Sequence, residues 1–186
     1  MRNQIQEGTD VIVYFLRHAN AGQHKTDPAK DQKRALDREG IEQCGLIGRT
    51  LAALDAHVDV VVSSPLKRAT QTASLVGNEI GYEGKLHLDP ALAPEANFEQ
   101  FRRLLQKHSN AEALLLVGHN PNLSDFLGTL LSPTRNPAGI ELKKGAVAKV
   151  DLGKRAGLLQ WCITPKIVRA IYESLASSSR LKTSRK

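Results

Sequence analysis

Apolar positions follow two rhythms along this chain: short unbroken runs, and longer stretches in which they recur every third or fourth residue. The runs at residues 11–16 (VIVYFL), 59–62 (DVVV) and 113–117 (ALLLV) are bounded by polar residues, the pattern of strands buried on both faces. Between the first two runs, Ile41, Cys44, Ile47, Leu51 and Leu54 keep helical spacing after Asp37, a candidate N-cap, with Arg38, Glu39, Glu42 and Arg49 facing outward. Gly40, Gly45 and Gly48 lower the propensity of that helix and are expected to let it pack closely on a sheet. Further amphipathic stretches predict helices over 66–80, 97–107 and 122–131, and a short strand over 85–88. Residues 145–152 and 158–163 read as a hairpin, and Pro165 opens a final helix to about residue 175.

Strands alternating with helices predict an α/β fold: a three-layer α/β/α sandwich, mostly parallel in its central sheet, with an antiparallel edge hairpin. One domain is expected over residues 11–176, flanked by a polar N-terminal extension (1–10) and a basic disordered tail (177–186). The polar stretch from Asn20 to Asp31, which holds His24, Lys25, Asp27, Pro28 and Lys30, reads as an exposed loop at the rim of a site.

Composition narrows the function classes. At 186 residues with 41% hydrophobic content, the chain can bury a core without disulfides or metal. Cys44 and Cys162 lie in apolar-periodic segments without metal-ligand spacing and are expected to be buried free thiols of a reducing compartment. No apolar run reaches the length of a membrane span and the first residues are too polar for a signal peptide, so a cytoplasmic location with no membrane contact is expected. Of the formal net charge of +7, Arg180, Lys182, Arg185 and Lys186 carry four in a stretch without acids. With 4% aromatic residues and no stacking platform among the basic residues, no nucleic acid is expected as a partner.

The chemistry collects where the strand-like runs stop. The first ends in Arg17-His18, the second in Ser63-Ser64-Pro65 with Arg68 just beyond, and the third in Gly118-His119-Asn120. If these strands are parallel, all three carboxyl ends lie on one edge of the sheet, the edge at which open α/β sheets place their crevice. Two imidazoles and two guanidiniums would then converge on an anion pocket, aided by helix N-termini after Pro65 and Pro121. No carboxylate stands in the three clusters, so a metal would find few oxygen ligands; no cofactor is expected. Ser63 and Ser64 are candidate caps or phosphate donors, and Asn20 a candidate phosphate contact or turn residue. Asn122, Ser124 and Asp125 read as cap and first-turn residues, Thr70 and Gln71 as packing around Arg68, and Trp161 as part of the hairpin's packing face. His24, His57, His87 and His108 show no ligand pattern and read as surface or rim residues.

The segments LRHANA, SSPLKRATQTA and LLVGHNPNLSDFL resemble, in order and spacing, the motifs of the histidine phosphatase superfamily, the phosphoglycerate-mutase-like fold. The likeness covers about residues 11–165. The short length, the RALDREG stretch and the GLLQWCITP segment are similar to the SixA-like bacterial phosphohistidine phosphatase branch. This resemblance implies that His18 is a nucleophile that becomes phosphorylated, and that Arg17, Arg68 and His119 clamp the transferred phosphoryl group. It implies a metal-independent phosphatase, with a phosphorylated protein as partner or, alternatively, a small phosphorylated molecule; a non-catalytic phosphate-binding module is the alternative of another class. Two departures stand out: Ala19 occupies the position of a common glycine, and the acidic residue that many relatives carry has no clear counterpart among Asp89, Glu95 and Glu99. Glu95 is the best candidate general acid.

Overall fold

The computed structural model describes residues 11–132, 136–153 and 156–183, with side chains described through residue 177. The expected extension at 1–10 and the last three residues lie outside the described residues. Six strands form one sheet: β1 (Val11–Arg17), β2 (Val60–Ser63), β3 (Leu86–Leu88), β4 (Ala113–Gly118), β5 (Val147–Leu152) and β6 (Leu158–Ile163), in the order β3-β2-β4-β1-β5-β6. The first four of that order run parallel, while β5 is antiparallel to both β1 and β6. This is the α/β sheet the apolar runs predicted, mostly parallel with an antiparallel hairpin at one edge.

Helices cover both faces because the central strands are apolar on both. Tyr14 and Leu16 of β1 face a layer built from α2 (Arg38–Ala53), α3 (Lys67–Glu79) and the start of α6 (Pro165–Thr183), through Cys44, Ile47, Leu51, Ala73, Val76 and Val168. Val13 and Phe15 face the opposite layer of α4 (Phe98–Lys107) and α5 (Asn122–Leu131), through Phe101, Leu104, Leu123 and Leu127. The period-two alternation of β1 thus serves two cores, each fully buried side chain contributing about 1.5–3 kcal/mol relative to exposure.

Four local expectations are corrected. The polar stretch after β1 contains a short helix, α1 (Pro28–Gln32), because Asp27 caps it by accepting from the Ala29 and Lys30 N–H groups and Pro28 presets its first φ. The glycines of α2 do not meet the sheet: a Cβ on Gly40 would lie 2.0 Å from the Asn20 carbonyl oxygen, and one on Gly48 would lie 2.4 Å from Cβ of Glu79 in α3. Cys44 is buried as expected, but Cys162 is exposed, since β6 is an edge strand whose even-numbered side chains face outward. Finally, the stretch read as a disordered tail from 177 continues α6 to Thr183. Alanine and serine interrupt an ongoing helix only weakly, and Ser177 donates back to the Glu173 carbonyl within it. No helix among the described residues is long and apolar enough to cross a membrane.

Candidate active site

Parallel pairing brings the three clusters together. Arg17 lies opposite Gly118 in the β1–β4 register, so His18 and His119 each follow directly, and Ser63 of β2 pairs with Val117. The His18 N–H donates to the Gly118 carbonyl, and the Ser64 N–H to the Val117 carbonyl, which holds the three strand ends level. The two imidazoles face each other with ring centroids 4.9 Å apart and planes inclined by 53°.

Each group has a defined tether. His18, 7% exposed, sets Nδ1 2.7 Å from the Ala19 carbonyl oxygen; Nδ1–H must donate there, which leaves the lone pair on Nε2. His119, 3% exposed, sets Nε2 2.8 Å from Ser64 Oγ. Ser64 Oγ accepts from the Leu66 N–H; with its hydroxyl as the donor to Nε2, the proton of His119 sits on Nδ1. Arg17 donates from one terminal nitrogen to the Leu142 carbonyl, and Arg68 from one to the Asp31 carbonyl. Arg17 Nε, Arg68 Nε and His119 Nδ1 are all buried and have no hydrogen-bond partner among the described residues.

Burial and neighbouring positive charge keep both imidazoles neutral. Burial comes first for His18, with the charges of Arg68, Arg17 and Arg34 adding to it against the favourable Ala19 bond, and its pKa falls to about 3. His119 falls to about 2, by burial and then by its proximity to His18, Arg68, Arg17 and Arg34. The guanidiniums of Arg17 and Arg68 are also lowered by burial but stay protonated. A neutral Nε2 flanked by fixed cations suits nucleophilic attack on an anion.

Two residues beyond the expected set join the site. Asp31, in α1, is buried; its carboxylate lies 2.8 Å from Arg34 Nε and 3.2 Å from Arg68, and accepts from the Lys25 N–H. Burial pushes its pKa up, but the Arg34 and Lys25 bonds and the two guanidinium charges outweigh this and hold it below the usual carboxylate range. Arg34 also donates to the carbonyls of Ala21 and Gly22, and so braces the first loop. The one sequence signal for the pair was the concentration of charge in DQKR, since the contact of Asp31 with Arg68 crosses 37 positions.

Other expected residues take different parts. Asn20 does not face an anion pocket: its amide donates to Asp37 and Glu39, its Oδ1 accepts from Lys144 at 2.6 Å, and it ties the loop to the start of α2. Asn122 and Ser124 are tethers rather than caps, Asn122 donating to the Ala93 and Ala96 carbonyls and Ser124 bridging Asn120 and the Leu142 N–H. Gln71 accepts from the Leu36 N–H, and Thr72, which the sequence did not single out, accepts from the Ala19 N–H. Ala19 does not need a glycine, since its φ is not positive. Among the acids, Asp89 caps the short turn at Pro90–Leu92 and Glu99 pairs with Arg102 and Arg103. Glu95 is exposed, and its charge reaches Arg68; Glu141, exposed on the other side and paired with Lys143, reaches Arg17. His87 and His108 stack edge-on to each other, and Trp161 packs 6.0 Å from the Tyr14 ring. Among the described residues, no three His, Cys, Asp or Glu side chains form a group that could hold a metal ion.

The model of the histidine phosphatase superfamily (branch 1) matches residues 13–112. The chain belongs to the histidine phosphatase superfamily. Within it, the phosphohistidine phosphatase SixA of Escherichia coli is 27% identical over 165 residues, 86% of this chain and 99% of that protein. An uncharacterized protein of a Picosynechococcus strain is 33% identical over 117 residues, 61% of this chain and 69% of its own. Among solved structures, SixA complexed with tungstate superposes with a TM-score of 0.73 at 23% identity, covering 85% of this chain and 99% of that one. A phosphoglycerate mutase from Bacillus anthracis gives 0.66 at 16% identity, covering 87% and 96%. The likeness to SixA therefore spans nearly the whole histidine phosphatase chain, and its fold is phosphoglycerate-mutase-like.

Proposed function

We propose that this histidine phosphatase removes phosphate from a phosphohistidine of another protein, through a phosphohistidine formed on His18. His18 Nε2 attacks phosphorus; the bond from phosphorus to the substrate imidazole breaks, and that imidazole leaves with a proton from solvent. Water then attacks the phosphoryl group on His18, releasing inorganic phosphate and the free imidazole. Arg17, Arg68 and His119 bind the equatorial oxygens, where charge is spread in the transition state. The observation that carries this reading is the set of three buried N–H donors without partners, one from each strand-end cluster. Each such orphan costs about 1–3 kcal/mol, and a phosphoryl group between them would satisfy all three. Tungstate, the tetrahedral oxyanion held by SixA, is expected to compete for the same donors.

The substrate follows from the acids. A phosphoramidate can be protonated on its leaving nitrogen by solvent, whereas an alkoxide needs a placed donor. Glu141 is a poor one, because its Lys143 partner and Arg17 hold it ionised. Glu95, whose charge reaches Arg68, is the remaining candidate acid and the reason a small phosphomonoester is the second reading. The test offers phosphoramidate, a phosphohistidine protein and an alkyl phosphate to wild type and to His18→Ala, with and without EDTA. Acid-labile phosphate trapped on wild type alone, chelator-insensitive turnover and preference for the N–P substrates are expected. Faster alkyl phosphate hydrolysis moves the assignment to the phosphomonoester, and phosphate binding without turnover leaves a binding module.

A further inference from the structure

An open groove of about 540 Å³ adjoins the pocket, at the β3 edge of the sheet. Its walls hold chain neighbours of the site residues. Lys33 stands two residues after Asp31, Pro65 follows the Ser64 that holds His119, and Lys67 precedes Arg68. Leu86 and Leu88 supply its apolar strip, with Leu88 54% exposed. Both lysines are exposed, neither has an acidic partner among the described residues, and no carboxylate lines the groove. Two free ammonium groups beside an uncovered leucine have a complement in a chain segment that carries acidic and apolar side chains together.

We infer that this groove docks the substrate protein itself, in an extended segment whose carboxylates meet Lys33 and Lys67 and whose apolar side chain covers Leu88, next to the phosphohistidine delivered to His18. The inference rests on the protein-phosphohistidine reading and gives it a substrate class: phosphohistidine flanked by acidic and apolar residues. Docking outside the pocket adds to binding and leaves the phosphoryl chemistry untouched, so it acts on KM.

Two peptides test it, both phosphorylated on a single histidine flanked by leucine, one with glutamates and one with lysines at the neighbouring positions. Wild type is expected to favour the glutamate peptide by about tenfold or more in KM, with a preference that weakens as salt is raised. The double variant Lys33→Glu, Lys67→Glu is expected to invert the preference toward the lysine peptide while hydrolysing phosphoramidate within about twofold of wild type. Equal use of the two peptides by wild type overturns the groove and leaves the protein-phosphohistidine reading standing. Loss of phosphoramidate turnover in the double variant also overturns it, because the lysines would then belong to the pocket. If neither peptide is hydrolysed while an alkyl phosphate is, the protein-substrate reading itself falls, and the groove with it.

Discussion

The neutrality of the two pocket imidazoles sets a stability profile that can be measured directly. In the unfolded chain, His18 and His119 take up protons below about pH 6.5. In the folded chain their values are pushed down to about 3 and about 2, chiefly by burial among arginines. The unfolded state therefore binds more protons throughout the interval from about 6.5 to 3, and stability falls as pH drops through it. At pH 5 each imidazole costs about 1.9 kcal/mol relative to pH 7, a figure set by the unfolded value as long as the folded one lies well below 5. The pair costs about 4 kcal/mol, a large share of the 5–15 kcal/mol typical of a domain. Urea unfolding at a series of pH values, for wild type and for His18→Gln, isolates the effect from the other histidines. The variant is expected to lose about 2 kcal/mol less than wild type between pH 7 and pH 5. Superimposable pH profiles, or an imidazole NMR titration that places His18 near its ordinary value, would refute the account of a buried neutral nucleophile.

Asp31→Ala leaves the buried Arg68 and the half-buried Arg34 guanidiniums without their carboxylate and is expected to cost about 3 kcal/mol in urea unfolding; an unchanged midpoint would mean the pair is dispensable. Gly40→Ala drives a Cβ into the Asn20 carbonyl, so it should destabilise the fold by more than the gain in helix propensity of about 1 kcal/mol and slow turnover by displacing the loop after His18; a more stable variant contradicts the close approach. Ser64→Ala removes the one hydrogen bond that the His119 ring makes among the described residues and is expected to slow phosphorylation of His18 in single turnover by about tenfold, the equivalent of about 1.4 kcal/mol; an unchanged rate would show that Ser64 does not orient His119.

The central strands were legible because β1 and β4 are buried on both faces and so read as continuous apolar runs, and the strand ends were legible because polar residues break those runs abruptly. From that pattern alone Arg17, His18, Arg68 and His119 could be gathered on one edge, and the structure places them there. The residues that brace them were not legible. A helix of five residues has no hydrophobic period, so α1 read as loop, and Asp31 with it. The hydrogen-bonding capacity of Asn20, Asn122 and Ser124 was plain from their chemistry, but apart from the local Ser124–Asn120 bond their partners come from segments 17 to 124 positions away, which only the folded chain brings near. The end of α6 was misjudged for another reason: a serine-rich, basic composition describes solvation, and an established helix continues through residues that would not start one.

The register of β1 against β4 has an evolutionary consequence. Neighbouring strands in any sheet lie about 4.8 Å apart, and the two imidazoles, one step beyond paired residues, inherit nearly that spacing at 4.9 Å. The backbone register thus sets the starting separation of the two rings, and the Ala19 carbonyl and the Ser64 hydroxyl fix their orientation within it. Under the docking inferred above, exchange of Lys33, Lys67 or Leu88 would follow a new substrate while His18 and His119 keep their place in the strand register, so that specificity and chemistry would evolve on separate parts of one scaffold.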